Sequence, residues 1–218
     1  MEGLFITLEG PEGAGKSTQI ELLNSYLTKK GYQVVQTREP GGTTVGDRIR
    51  EILLDNNLNN LEPKTELLLY CASRAQHILE VIKPALLEGK IVLCDRFSDA
   101  TLAYQGYGRK IDIELIQQIN RLSTAGLKPD LTFILDIDSE EGLHRAKGLD
   151  KDGFELGIGD RIENEKLEFH KRVRSGYLDL AKMEDRFEVI DANHSVDDIF
   201  KVLVQKLEER LVENEDSK

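Results

Sequence analysis

Gly10-Pro11-Glu12-Gly13-Ala14-Gly15-Lys16-Ser17 fits G-x-x-x-x-G-K-[ST] at every fixed position. The flanks give it a context. Leu4 to Glu9 is apolar and β-prone, and Lys16 to Lys30 carries Ile20, Leu23 and Leu27 on one helical face until Gly31 stops it. Strand, glycine-rich loop and helix in that order make a phosphate cradle. Glycines let the backbone wrap an anion without Cβ clashes, and loop N–H groups and the helix N-terminus aim positive charge at it. Gly10, Pro11, Glu12, Gly13, Ala14, Gly15, Lys16, Ser17 and Thr18 are therefore the expected ATP-binding residues. Lys16 is expected to reach the terminal phosphates, and Ser17 to take a place on Mg²⁺.

Outward from the loop, strands alternate with helices. Gln33 to Thr37, Ile91 to Cys94 (ending at Asp95), Leu131 to Ile137 and Phe187 to Asp191 read as strands. Thr43 to Leu54, Lys64 to Glu88 with a bend near Pro84, short pieces through Ala125, Ser139 toward Lys147, Ile162 to Met183, and Val196 to Val212 read as helices. Several strands are apolar throughout, which implies a parallel sheet covered on both faces: an α/β, three-layer α/β/α fold. No repeat or linker divides the chain, so residues 1–212 read as one P-loop domain and 213–218 as a polar tail. Gly148 to Gly159 holds four glycines and mixed charge and reads as a mobile lid inserted at about 147–161.

Composition narrows the function. The chain has 218 residues and a formal net charge of −11, which argues against general nucleic-acid binding and requires any phosphate-handling cations to be gathered in one cleft. No apolar run approaches the roughly 20 residues that span a bilayer. Met1 to Glu9 lacks the basic region and cleavage site of a signal peptide, so a cytoplasmic location is expected. Cys71 and Cys94 have neither CxxC spacing nor a nearby histidine, and read as small buried hydrophobes in a reducing compartment.

Ile91-Val92-Leu93-Cys94-Asp95 is an apolar strand ending in a carboxylate, with Arg96 next. Strand C-termini line the ligand crevice of an open parallel sheet, so Asp95 is placed to act with Ser17 on Mg²⁺ or its waters. An acid at a strand end can also be a helix N-cap; the phosphate loop and the adjacent arginine favour the site. The chain has no Asn-Lys-x-Asp for reading guanine, which weakens a GTPase reading.

Thr37-Arg38-Glu39-Pro40-Gly41-Gly42-Thr43, Cys94-Asp95-Arg96-Phe97, Leu102-Ala103-Tyr104-Gln105-Gly106 and Asp160-Arg161-Ile162-Glu163 follow the phosphate loop in order. Together they closely resemble bacterial thymidylate kinases, over nearly the whole chain to about Asp191. The resemblance implies a homodimer, a five-stranded parallel core with a lid, and transfer of the ATP γ-phosphoryl group to dTMP with Mg²⁺, giving dTDP and ADP for dTTP synthesis. It implies Arg38, Arg50 and Arg96 around the acceptor phosphate, Tyr70 against the thymine ring and Arg74 at its 4-carbonyl. It also puts Thr101 and Gln105 near the base edge, Tyr104 near the sugar and Glu12 as an acid close to that sugar. Arg145, Lys147, Lys151 and Arg161 compete for the lid cation, and Arg161 stands as the catalytic candidate beside Lys16, Arg96 and Glu12.

The chemistry agrees with these residue types. A phosphate monoester is already an anion and needs no general base, while the loose transition state calls for arginine and Mg²⁺. Arginine grips phosphate oxygens in pairs and keeps its proton. His77, His144, His170 and His194 fall in no motif and read as surface or packing residues. Tyr70 and Arg74 are i and i+4 on one expected helix; spacing alone reads them as a half-buried tyrosine beside a surface arginine. Thr101 and Gln105 share the same relation. Glu39-Pro40 is a candidate cis peptide bond. Two rival readings are a kinase for another nucleotide or a nucleoside, and a nucleotide switch that gates a partner.

Overall fold

The computed structural model of the chain describes residues 3–146 and 159–216, with side chains through 212. Five parallel strands, β1 Leu4–Glu9, β2 Val34–Arg38, β3 Ile91–Asp95, β4 Leu131–Asp136 and β5 Phe187–Asp191, form one sheet in the order β2-β3-β1-β4-β5. The order departs from the chain sequence at β1, so the crevice of the sheet opens above the carboxyl ends of β1 and its neighbours.

Alternation along β1 explains the layers. Leu4, Ile6 and Leu8 face α1 (Lys16–Lys29) and α9 (Val196–Asp216), meeting Ile20, Leu23, Leu27, Ile199, Leu203 and Leu207 in one core. Phe5 points the other way, with Val92 and Cys94, onto Ile78, Ile82 and Phe97. Farther along that face, Ile134 packs on Ala103, Tyr104, Phe169, Val173 and Tyr177. The expected helix from Lys64 to Glu88 is α3 (Pro63–His77), a π-helical turn (Ile78–Ile82) and α4 (Lys83–Leu87). A widened turn thus stands just before Pro84, where a bend is expected. α2 (Thr44–Leu54) starts under a cap in which the Thr43 hydroxyl accepts from the Gly46 N–H at 2.9 Å.

Several boundaries differ from the sequence reading, among them β2, which runs one residue later at both ends. The helix expected from Ile162 to Met183 is α8 (Leu167–Leu180), which ends at Leu180 and not Met183. It begins at Leu167 because Asp160 Oδ1 accepts the N–H groups of Ile162 and Glu163, each at 2.9 Å, and holds a turn there. β4 ends at Asp136, one residue early, and α9 continues past Val212 to Asp216. α5 (Ser98–Thr101), a π-helical stretch (Leu102–Gly108) and α6 (Ile113–Thr124) fill the segment before β4, and α7 (Ser139–Ala146) follows it. The expected lid loop lies, apart from Gly159, outside the described residues, as do Lys147 and Lys151.

Candidate active site

The phosphate loop leaves β1 at Gly10 and enters α1 at Gly15, whose φ of +85° is left-handed and suits glycine. Gly13 is required for a different reason. At φ +69° it approaches α7 so closely that a Cβ would stand 1.9 Å from the Gly142 carbonyl oxygen. The loop is therefore seated backbone to backbone on the helix that leads into the expected lid. Lys16 is buried, and its ammonium donates to the carbonyls of Gly10 at 3.2 Å and Pro11 at 2.8 Å. Burial, with the Arg96 charge nearby, lowers its pKa to about 8 against the pull of Glu12.

At the end of β3, the Ser17 hydroxyl donates to Asp95 Oδ2 at 3.1 Å. A hydroxyl and a carboxylate meeting beside a phosphate loop are the oxygen donors a hard divalent cation takes. Among the described residues no cluster of three acids, histidines or cysteines could hold a metal alone, so phosphate or water oxygens must complete any such shell.

Arg96 follows with φ +67°, a left-handed backbone that costs a non-glycine residue on the order of 1–3 kcal/mol. That turn carries its guanidinium back over the phosphate loop. Nη1 donates to the Gly10 carbonyl at 2.8 Å and the Tyr177 hydroxyl at 3.0 Å, and Nη2 to Glu12 Oε1 at 2.9 Å. Its cationic carbon lies 4.9 Å from the centre of the Tyr104 ring, and the Tyr104 hydroxyl donates to the same Glu12 oxygen at 2.7 Å. Partial burial would raise the Glu12 pKa; Arg96, Lys16 and Tyr104 more than offset this and hold it down to about 2.

The opposite wall is built around a buried arginine. Arg74 is 1% exposed, not the surface residue its spacing suggested. Nε donates to Glu39 Oε2 at 2.8 Å, Nη1 to Asn120 Oδ1 at 3.0 Å, and Nη2 to the Phe97 carbonyl at 3.0 Å and Thr101 Oγ1 at 2.9 Å. Glu39 also meets His77 Nδ1 at 3.1 Å, and the Glu39-Pro40 bond is cis. Gln105 donates to Glu66 Oε1 at 2.8 Å. Arg50 donates to the Pro40 carbonyl at 3.0 Å; burial and the neighbouring Arg38, itself paired with Asp47 at 3.4 Å, lower its pKa.

These walls enclose a cavity of about 500 Å³, lined by Glu12, Lys16, Ser17, Asp95 and Arg96 on one side. Arg38, Arg50, Tyr70, Arg74, Thr101, Tyr104 and Gln105 line the other, with Arg145 at the α7 edge. The size suits a ligand of nucleotide dimensions. Arg161 stands outside the lining. Its Nε donates to the Leu53 carbonyl at 2.8 Å, and Nη2 lies 2.6 Å from Glu66 Oε2 as a charge pair. It ties the end of the expected lid segment to α2 and α3 instead of lining the cavity. Of the histidines, His77 and His170 are buried in packing, while His144 and His194 are exposed.

Several residues of the site were not singled out in the sequence. Glu9 ends β1 as Asp95 ends β3, so the strand-end rule that flags Asp95 would have flagged it. Glu39 stood in a quoted motif without a task. Asn120, Glu66 and Tyr177 carried no local signal.

A family model described as thymidylate kinase matches residues 8–202. The chain is 51% identical to the thymidylate kinase of Halothermothrix orenii, over 97% of this chain and all of that one. It is 54% identical to that of Desulfosudis oleivorans, over 87% and 89%. The crystal structure of thymidylate kinase from Ehrlichia chaffeensis superimposes with a TM-score of 0.76 at 36% identity, covering 95% of this chain and all of that one.

Proposed function

The chain belongs to the thymidylate kinase family, and from that premise we propose how its cavity divides the work of moving the ATP γ-phosphoryl group to dTMP. The observation that carries the reading is that one cavity joins a phosphate loop to Arg38, Arg50 and Arg96 and to Tyr70, Arg74, Thr101 and Gln105. Gly10 to Thr18 hold ATP, with Lys16 on the terminal phosphates. Arg38, Arg50 and Arg96 hold the acceptor phosphate. Arg96 and Glu12 stand where donor and acceptor meet, so both touch the reacting groups. Tyr70 stacks on the base. Among the described residues, four of the five N–H groups of Arg74 are spent on protein oxygens, which leaves one Nη1–H for a single carbonyl. Such a donor favours thymine over cytosine, whose amino group at that position cannot accept it. Thr101 and Gln105 border the base, and Tyr104 the sugar.

Ser17 and Asp95 would hold Mg²⁺, which when bound neutralises the charge shared by the two phosphate chains. Among the cations offered for the lid, Arg145 lines the cavity and Arg161 does not, so Arg145 is the better described candidate for contact with the transferred group. We read residues 1–212 as one domain with a lid at about 147–161 and a polar tail at 213–218.

A homodimer is supported by apolar side chains left exposed on three helices that pack together: Val45 and Ile52 on α2, Leu68 on α3, and Leu115 and Leu122 on α6. No described helix is long and apolar enough to cross a membrane, and the acidic net charge disfavours nucleic acid as a partner; the proposed location is the cytoplasm. ADP release with dTMP against other monophosphates tests the reading.

A further inference from the structure

Tyr177 lies on α8, 1% exposed and outside the cavity lining, yet its hydroxyl touches the machinery. It accepts from Arg96 Nη1 at 3.0 Å and donates to Glu9 Oε2 at 2.7 Å. A phenol has one hydrogen. Given to the Glu9 carboxylate, ionised above about pH 7, that hydrogen leaves the oxygen lone pairs to face the guanidinium. Glu9 cannot swing away: it is fully buried, and its Oε1 accepts the Phe97 N–H at 2.7 Å. The chain Phe97–Glu9–Tyr177–Arg96 therefore runs from the first turn after β3, through the end of β1 and α8, and back to the site.

The donor census of Arg96 gives this a consequence. Both Nη1 hydrogens are used, on Gly10 and Tyr177, and one Nη2 hydrogen is used on Glu12. Among the described residues, what remains is Nε–H and one Nη2–H, two donors on neighbouring nitrogens. Two such donors match two oxygens of one phosphate group. The Tyr104 ring limits movement perpendicular to the guanidinium plane, while rotation within that plane is limited by the Gly10 and Tyr177 acceptors.

We infer that Tyr177, anchored by Glu9, is a positioning residue that holds the Arg96 guanidinium so that its unspent pair of donors faces the acceptor phosphate. The inference rests on the reading of Arg96 as an acceptor-phosphate contact.

The test is a cycle of wild type, Tyr177→Phe, Arg96→Lys and the double variant, read as kcat/KM for dTMP and KM for ATP. Tyr177→Phe keeps the ring and removes only the oxygen. It is expected to lower kcat/KM for dTMP roughly 10- to 100-fold, the scale of a hydrogen bond to a charged group, with KM for ATP within about twofold. In the Arg96→Lys background the same change is expected to cost less than about threefold, since the group it acts through is gone. Equal losses in both backgrounds, or no loss in the first, would overturn the inference. A second arm reads the wild-type guanidinium directly in ¹⁵N spectra, with the Arg96 signal assigned by its loss in folded Arg96→Lys. Slow rotation about the Cζ–Nη1 bond is expected, and free rotation would overturn the inference. Failure of wild type to use dTMP would instead sink the functional reading, and the spectra would still decide whether Arg96 is held.

Discussion

Arg96 and Glu12, 84 residues apart in the chain, form one unit: Nη2 of the arginine donates to Oε1 of the acid at 2.9 Å, within the site's phosphate-facing wall. Held down to about 2, Glu12 is ionised near neutrality and is a poor proton acceptor there. Its task is electrostatic. Glu12→Gln is expected to lower kcat at least about tenfold without raising KM for dTMP, because the freed arginine binds the phosphate as well but holds it less well in line. A raised KM with unchanged kcat would assign Glu12 to simple binding.

Arg74 and Glu39 are 1% and 3% exposed, and the acid is shared with His77. Removing one partner of such a pair leaves a buried charge. Arg74→Ala is expected to cost about 3–5 kcal/mol in urea unfolding, besides its effect on dTMP binding. Arg74→Lys retains the charge but cannot supply four directed donors, so much of the loss is expected to remain. A cost below about 1 kcal/mol for the alanine variant would mean the network stabilises little.

Gly13 shows why the phosphate loop depends on a partner helix. A methyl group there meets the Gly142 oxygen at 1.9 Å, and one at Gly142 meets the Glu12 oxygen at 2.4 Å. Gly13→Ala is expected to raise KM for ATP more than tenfold by lifting the loop from α7, while the sheet core stays intact by circular dichroism. Unchanged ATP kinetics would show that the seat is dispensable.

The sheet, the strand ends and the phosphate loop were legible because each rests on local pattern: apolar runs of strand length, a fixed glycine spacing, a carboxylate at a strand end. That Arg38, Arg50, Tyr70, Arg74, Thr101, Tyr104 and Gln105 belong together was legible only through family resemblance, and the fold brings them onto one cavity. Spacing made Arg74 a surface residue, and only the tertiary fold, which brings Glu39, Phe97, Thr101 and Asn120 around one guanidinium, makes burial affordable for it. The same limit applies to Arg161. Nothing local announces that Glu66, itself fully buried, will draw both it and Arg109 away from solvent. The start of α8 was missed because the Asp160 turn competes with helix for the same N–H groups, a contest that periodicity does not register.

Glu9 makes stability depend on pH. Burial, reinforced by Asp99, raises its pKa from 4.5 to about 7 in the folded protein. The folded state therefore binds a proton that the unfolded chain has released, and stability falls as pH rises from about 4.5 through 7. Glu9→Gln cannot titrate. The Tm of this variant relative to wild type is expected to be higher at pH 8 than at pH 5, the change corresponding to about 3 kcal/mol at most. A difference that stays flat across this range would show that Glu9 is ionised throughout.

ADP release with ATP and Mg²⁺, across dTMP, UMP, CMP, AMP and thymidine, with Lys16→Ala as the blank, tests the central claim most directly. The account predicts strong turnover with dTMP, far above the other acceptors and lost in the blank. Folded protein that releases no ADP in response to any acceptor would contradict it, and would turn the phosphate loop into a nucleotide switch in search of a partner.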